Sequence, residues 1–198
     1  MTINEFIHEL NYSASRVVND VDDFGDFCND HDVQWAHGAS RLCAIFPKEG
    51  KVLKIGRADV MCDYCEREME FYEKAVALGI ADLLLPISLH TILACGVKVY
   101  CQPMISFAYE DMDGKIRERL EKKYYNVLHS HVFPKITRSM YWATPQLWTA
   151  SVVALYGKKY IRTFQKWSDE NGVNDLHNGN VGFLHGKPIV LDYGGYYG

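Results

Sequence analysis

The sequence predicts an α+β fold, with strands gathered in the first half, helices in the second, and a short β-hairpin near the end. Three observations carry that expectation. Residues 33–105 contain short apolar runs set apart by Gly- and Pro-bearing turns. Residues 106–172 contain longer segments with apolar residues at helical spacing. Two brief apolar runs, VGFL and PIVLDY, then meet at His185-Gly186.

The bulk properties agree with a folded chain. A length of 198 residues suits one domain, here in two small lobes. Hydrophobic residues make up 48% and charged residues 23%, the proportions of an ordinary globular protein with a core. Thirteen tyrosines and four tryptophans argue against disorder. The net charge of −4 leaves no basic footprint, so no nucleic-acid partner is expected. No apolar run approaches the roughly 18 residues of a membrane span. MTINEFIHEL has acids where a signal peptide needs a basic start, so a cytoplasmic protein without a membrane partner is expected. Only Cys62 and Cys65 form a CxxC, no second pair follows, and free thiols in a reducing compartment are the simpler expectation than zinc.

In chain order, residues 1–24 read as helix, with Ile3, Phe6, Ile7 and Leu10 on one face and Val17, Val18 and Val21 extending it. The run NDVDDFGDFCNDHD lacks the spacing of a calcium loop and reads as a turn-rich, solvated surface. Together these make 1–32 an N-terminal extension. VQWAHGASRLCAIF reads as two strands around His37-Gly38, and KVLKI as a third. MCDYCEREMEFYEKAVALG reads as a helix stopped by Gly79. ISLHTILACG and VKVYCQPMI add two strands and complete a first lobe over 33–105. Beyond it, DGKIRERLEKKYYNVLHSHV is amphipathic, with Glu118 and Lys122 at a supportive i, i+4 spacing. Two further helices follow, TPQLWTASVVALY and KKYIRTFQKWSDENG, the first opened by Thr144 as cap and Pro145 at the first helical position. The tryptophans Trp35, Trp142, Trp148 and Trp167 fall in amphipathic segments and read as core.

The chemistry concentrates in NDLHNGNVGFLHGKPIVLDYGG, residues 174–195. Asp175 and Asn180 lie five residues apart in a loop entering a strand, and the hairpin returns Asp192 beside them. Two carboxylates and an amide oxygen are hard ligands suited to Mg²⁺ on phosphates. A metal-held Asp, an Asn partner and a second Asp aimed at a hydroxyl are the parts that phosphoryl transfer uses. In the first half, Lys54 sits in mid-strand, and Glu68 on the following helix is placed by the apolar stripe to pair with it.

These motifs, from about residue 33 to 195, resemble the protein-kinase-like superfamily. The likeness is nearer to small-molecule and atypical phage-type kinases than to eukaryotic protein kinases. DLHNGN resembles the catalytic loop in the form common among aminoglycoside-type kinases, and LDYGG resembles the metal-binding element that follows it. HGASRLCAIF is similar to the phosphate-covering hairpin, VLKI to the lysine strand, REMEFY to the helix with the glutamate partner, and VYCQPMI to the adenine hinge. The resemblance implies a bilobal fold with a β-rich N-lobe holding one main helix, and a reduced, mostly helical C-lobe over 106–198. It implies ATP and Mg²⁺ as cofactors. Asp175 would orient the acceptor hydroxyl or act as base, Asn180 and Asp192 would hold metal, and Lys54, paired with Glu68, would contact phosphate. Gly38, Ala39, Ser40 and Arg41 would cover the phosphates, and Gln102, Pro103 and Met104 would meet adenine.

The sequence departs from that pattern in three places. One glycine stands where the family has a glycine-rich loop, Val173-Asn174 precede Asp175 in place of the families' His-Arg or His-Gly, and only three residues follow DYGG. The acceptor, protein or small molecule, would then be met by residues 106–172, by the N-terminal helix or by a partner, and a homodimer is one form this takes. Two functions fit: an ATP- and Mg²⁺-dependent phosphotransferase acting on a hydroxyl, or a catalytically weak kinase-like protein that binds and inhibits or remodels a partner. Nucleotidyl transfer on the same site is a third.

Overall fold

The structure, a computed structural model, describes residues 1–38, 40–57, 64–130 and 144–194. It is mixed α+β, with an antiparallel sheet of five strands and another of three. The chain divides into two compact units, Met1–Glu70 with Pro86–Met104, and Phe71–Leu85 with the chain from Ile105 onward.

The first unit opens with α1 (Ile3–Val17), started by a reciprocal cap. Thr2 Oγ1 accepts from the Glu5 amide at 3.3 Å, and the Glu5 carboxylate accepts from the Thr2 amide at 2.7 Å. Ile3, Phe6, Leu10, Ala14 and Val17 form its buried stripe. The single helix expected over 1–24 stops at Val17, and the Asp-rich run expected to be a loop is instead a second helix, α2 (Val21–Asp30). Asp20 causes both changes. Its carboxylate accepts from the amides of Asp22 at 2.7 Å and Asp23 at 3.2 Å, which caps a new helix. Asp22 and Asp23 then occupy the first turn, where negative charge suits the helix dipole. Phe24, Phe27 and Cys28 supply the apolar face that the acidic composition hides.

The larger sheet comprises β1 (Gln34–His37), β2 (Arg41–Phe46), β3 (Lys51–Gly56), β4 (Ser88–Ile92) and β5 (Lys98–Pro103), in the order β1-β2-β3-β5-β4. All pairings are antiparallel, with Cys43 opposite Lys54 and Lys54 opposite Tyr100. Alternation along the strands divides the residues between two faces. Leu42, Ala44, Leu53, Ile55 and Val99 join Phe6, Leu10 and Phe24 of the two helices in one core. Arg41, Cys43, Lys54, Tyr100 and Gln102 occupy the opposite face. The helix expected before Gly79 is α3 (Tyr64–Ala77), and Gly79 ends it with φ +69°.

The second unit contains a 3₁₀ turn (Ala81–Leu83), β6 (Phe107–Ala108), α4 (Gly114–Leu128), α5 (Gln146–Glu170), β7 (Val181–Leu184) and β8 (Lys187–Val190). Asp113 caps α4 by accepting from the Lys115 and Ile116 amides at 2.6 and 3.1 Å. Thr144 does not cap α5; Pro145 holds that position, and among the described residues the buried Thr144 hydroxyl has no partner. Gly157, at φ +83° and ψ 170°, kinks α5 at the place where the sequence separates two helices. That conformation is essentially closed to other residues. Trp148 and Trp167 are buried in the core of this unit, Trp35 is partly buried in the first, and Trp142 lies outside the described residues.

Candidate functional site

The first unit carries a buried ion cluster on the sheet face away from α1 and α2, where Glu68 of α3 meets the strands. Glu68 is fully buried, and its carboxylate meets Lys54 Nζ at 3.1 Å. Arg41 Nη1 approaches the same carboxylate at 3.3 Å. A buried carboxylate needs such partners, since an unpaired charge in the interior is strongly unfavourable. The sequence anticipates the Lys54–Glu68 pair. Arg41 behaves otherwise than expected: as the first residue of β2 it turns inward to Glu68 and is buried, instead of adding charge to a phosphate loop.

The β1–β2 loop is tight. The Gly38 amide donates to Arg41 O at 2.9 Å, so it serves the hairpin and not a ligand. Ser40 is partly exposed, its carbonyl accepts from the Arg57 amide at 3.2 Å, and Ala39 lies outside the described residues. At the expected hinge, the Met104 amide donates to Gly50 O at 2.7 Å, which engages the backbone donor that an adenine would use. Gln102 is buried within β5, opposite Val52.

The second unit carries the loop chemistry. Asn180 Nδ2 donates to the Asp175 carbonyl at 2.8 Å and to its carboxylate at 3.2 Å. This fixes Asp175 from five residues away and leaves the Asn180 carbonyl oxygen for another partner. Val181 pairs with Val190, and the Leu191 amide donates to Asn180 O at 2.8 Å, so the register sets Asp192 next to the Asn180 backbone. Asp175 and Asn180 are brought together by their side chains, and Asp192 follows Leu191 on the returning strand.

Two further side chains join this loop. His177 Nδ1 accepts from the Gly179 amide at 2.9 Å, which directs the Nε2 edge to Asp175 at 3.6 Å. Glu110 lies over Gly179, where an added Cβ would stand 3.1 Å from its carboxylate and 2.9 Å from the His177 ring. Sequence reasoning did not find Glu110, because its place depends on pairing by its amide to Asn178 O at 3.2 Å, far along the chain.

The chain matches no known protein family, no curated protein and no solved structure. The case for function rests on the geometry alone. Among the described residues no three of His, Cys, Asp and Glu gather as a metal cage. Asp192 and the Asn180 amide oxygen are two hard donors, which suits Mg²⁺, an ion that takes its remaining ligands from phosphate and water. Of the CxxC, Cys65 is buried and forms no disulfide, and Cys62 lies outside the described residues. Among the described residues no helix is long and apolar enough to cross a membrane.

A groove of about 630 Å³ also belongs to the second unit, lined by Tyr109, Glu118, Glu121, Lys122, Tyr125 and His129 among others. Its Tyr109 wall adjoins the loop strand, since the Tyr109 amide donates to Val181 O at 2.8 Å.

Proposed function

We propose that the protein is an ATP- and Mg²⁺-dependent phosphotransferase of protein-kinase-like, bilobal design that moves the γ-phosphate to a hydroxyl acceptor. The observation that supports this reading most is the hydrogen-bonded set Asp175–Asn180–Leu191, with Asp192 next in the chain after Leu191. The buried Lys54–Glu68 pair supports it.

Asp175 accepts the proton of the acceptor hydroxyl as that oxygen bonds to the γ-phosphorus. The bond from phosphorus to the bridging oxygen breaks, and ADP leaves with the electron pair. Asn180 fixes the Asp175 carboxylate for this step. Mg²⁺, held by Asp192 and Asn180, would neutralise phosphate charge as it develops. Lys54, oriented by Glu68, would bind the α/β-phosphates. The groove beside Tyr109 is the acceptor surface favoured by its place next to the loop. Among the described residues Cys28, Cys43, Cys65, Cys95 and Cys101 form no disulfide, which suits a reducing compartment.

A second reading is favoured by one set of contacts: the Gly38 and Met104 amides and the Arg41 side chain serve the fold. In that case the chain is a kinase-like protein that acts by binding a partner. Thermal unfolding with Mg·ATP separates the two. At about 100 times its dissociation constant the nucleotide stabilises by about 2.7 kcal/mol. The wild type and Asp175→Ala are expected to show that stabilisation, Asp192→Asn to lose it, and only the wild type to release ADP with an acceptor. A wild type indifferent to Mg·ATP removes the phosphotransferase reading.

A further inference from the structure

A second groove of the second unit, of about 430 Å³, shares no lining residue with the one beside Tyr109. It is lined by Leu78, which follows α3, and by Lys159, Arg162, Lys166 and Trp167 of α5, among others. The three cations fall at i, i+3 and i+7 and so share one side of the helix. All three are exposed, and neither Lys159 nor Arg162 has an ion pair among the described residues. Lys166 has Glu170 at 3.6 Å, a contact open to solvent at both side chains. Cations complement the helix dipole within the last turn, and all three stand before it. There, like charges at this spacing oppose the helix. Leu78 is 53% exposed and Val76, at the end of α3, 56%, so the groove also offers apolar surface. The positive charge is local: residues 105–198 hold twelve Lys and Arg against nine Asp and Glu, while residues 1–104 hold nine against sixteen.

We infer that this groove docks an acidic segment of a partner protein, with one apolar side chain seated on Leu78 among carboxylates that meet Lys159, Arg162 and Lys166. The lengths agree. Seven residues of helix rise about 10.5 Å, which about three residues of extended chain cover. The charges agree as well, since the row of cations lacks the partners that an acidic stretch brings. A nucleic acid fits less well: its bases need an exposed ring to stack on, whereas the ring here, Trp167, is buried, and Glu170 adds negative charge to the lining. An interface of this size is weak and sensitive to salt. The inference stands apart from the phosphotransferase reading, because the groove lies outside the residues assigned to nucleotide and metal.

Fluorescence anisotropy on the full chain at low salt tests it, with three labelled probes. These are the peptide EEFEDE, its counterpart EEGEDE of equal charge and no anchor, and a hexathymidylate. The wild type is expected to bind EEFEDE about tenfold more tightly than EEGEDE, the size of one partly buried ring, and more tightly than the oligonucleotide. Arg162→Glu is expected to weaken EEFEDE about tenfold, since a repulsion replaces an attraction. Leu78→Ser is expected to remove the preference for EEFEDE over EEGEDE. Both residues are exposed, so both variants are expected to fold, which circular dichroism checks. A wild type that binds neither peptide overturns the inference. So does an EEFEDE affinity unchanged in Arg162→Glu, or a wild type that does not distinguish the two peptides. Tighter binding of hexathymidylate that Arg162→Glu removes also overturns it, and assigns the groove to nucleic acid.

Discussion

Glu68 has no solvent exposure and faces two cations, so the three side chains of its cluster are unequal in what they hold up. Removing the carboxylate strands buried positive charge, which destabilises by about 3–5 kcal/mol. Removing Lys54 leaves the Arg41–Glu68 contact at 3.3 Å in place. Glu68→Gln is therefore expected to lower the urea midpoint far more than Lys54→Met, and equal midpoints would contradict the assignment. The difference has a use: Lys54→Met can be assayed for nucleotide binding in a folded protein, whereas Glu68→Gln cannot be read so simply. The pair was legible in the sequence because Lys54 alternates with apolar residues and Glu68 falls on the inner stripe of the next helix. Arg41 was not, since its direction is set by β2 pairing, and the residues around it looked like a loop.

At the scale of elements, Asp20 shows how one side chain divides two helices. Asp20→Ala removes the acceptor for two amides at the start of α2 and is expected to cost about 1 kcal/mol. Chemical denaturation with circular dichroism checks this, and an unchanged stability would show that packing of Phe24 and Phe27 alone sets the helix start. The acidic composition concealed α2 because capping and dipole effects favour acids at one end of a helix, where a composition count sees only polarity. The kink in α5 was readable, since a mid-helix glycine between two apolar-periodic runs signals a break. The two-residue β6 was not, because a strand that short has no period to detect. The return of Leu191 to Asn180 was readable for the opposite reason: a tight hairpin fixes its own register.

For the molecule as a whole, both units bury groups that ionise in alkali. Burial pushes the Cys28 thiol in the first unit up to about 12. In the second unit burial raises the Tyr109, Tyr156 and Tyr160 hydroxyls, opposed at Tyr109 by the Arg117 charge and aided at the other two by Asp82. A pKa raised in the folded state means that the unfolded chain loses its proton first. The stability tied to Cys28 is therefore complete below its ordinary value of 9.0 and declines as pH rises from there towards about 12. The tyrosines act in the same sense above 10.0. Unfolding temperature is expected to fall steadily above pH 9. An unfolding temperature constant between pH 9 and 11 would contradict the burial of these groups.

Asp192 stands between two anchored neighbours: the Leu191 amide donates to Asn180 O at 2.8 Å, and the Tyr193 hydroxyl donates to Leu85 O at 2.5 Å. Its backbone is ordered when the second unit folds, so under the proposed reading a cation arriving there would have little left to organise. The entropic cost of building the site is met in advance, and the site persists only while that core is intact. A ligand at Asp192 would act as a thermodynamic sensor of one unit, slowing hydrogen exchange in the hairpin and in the Leu85 segment.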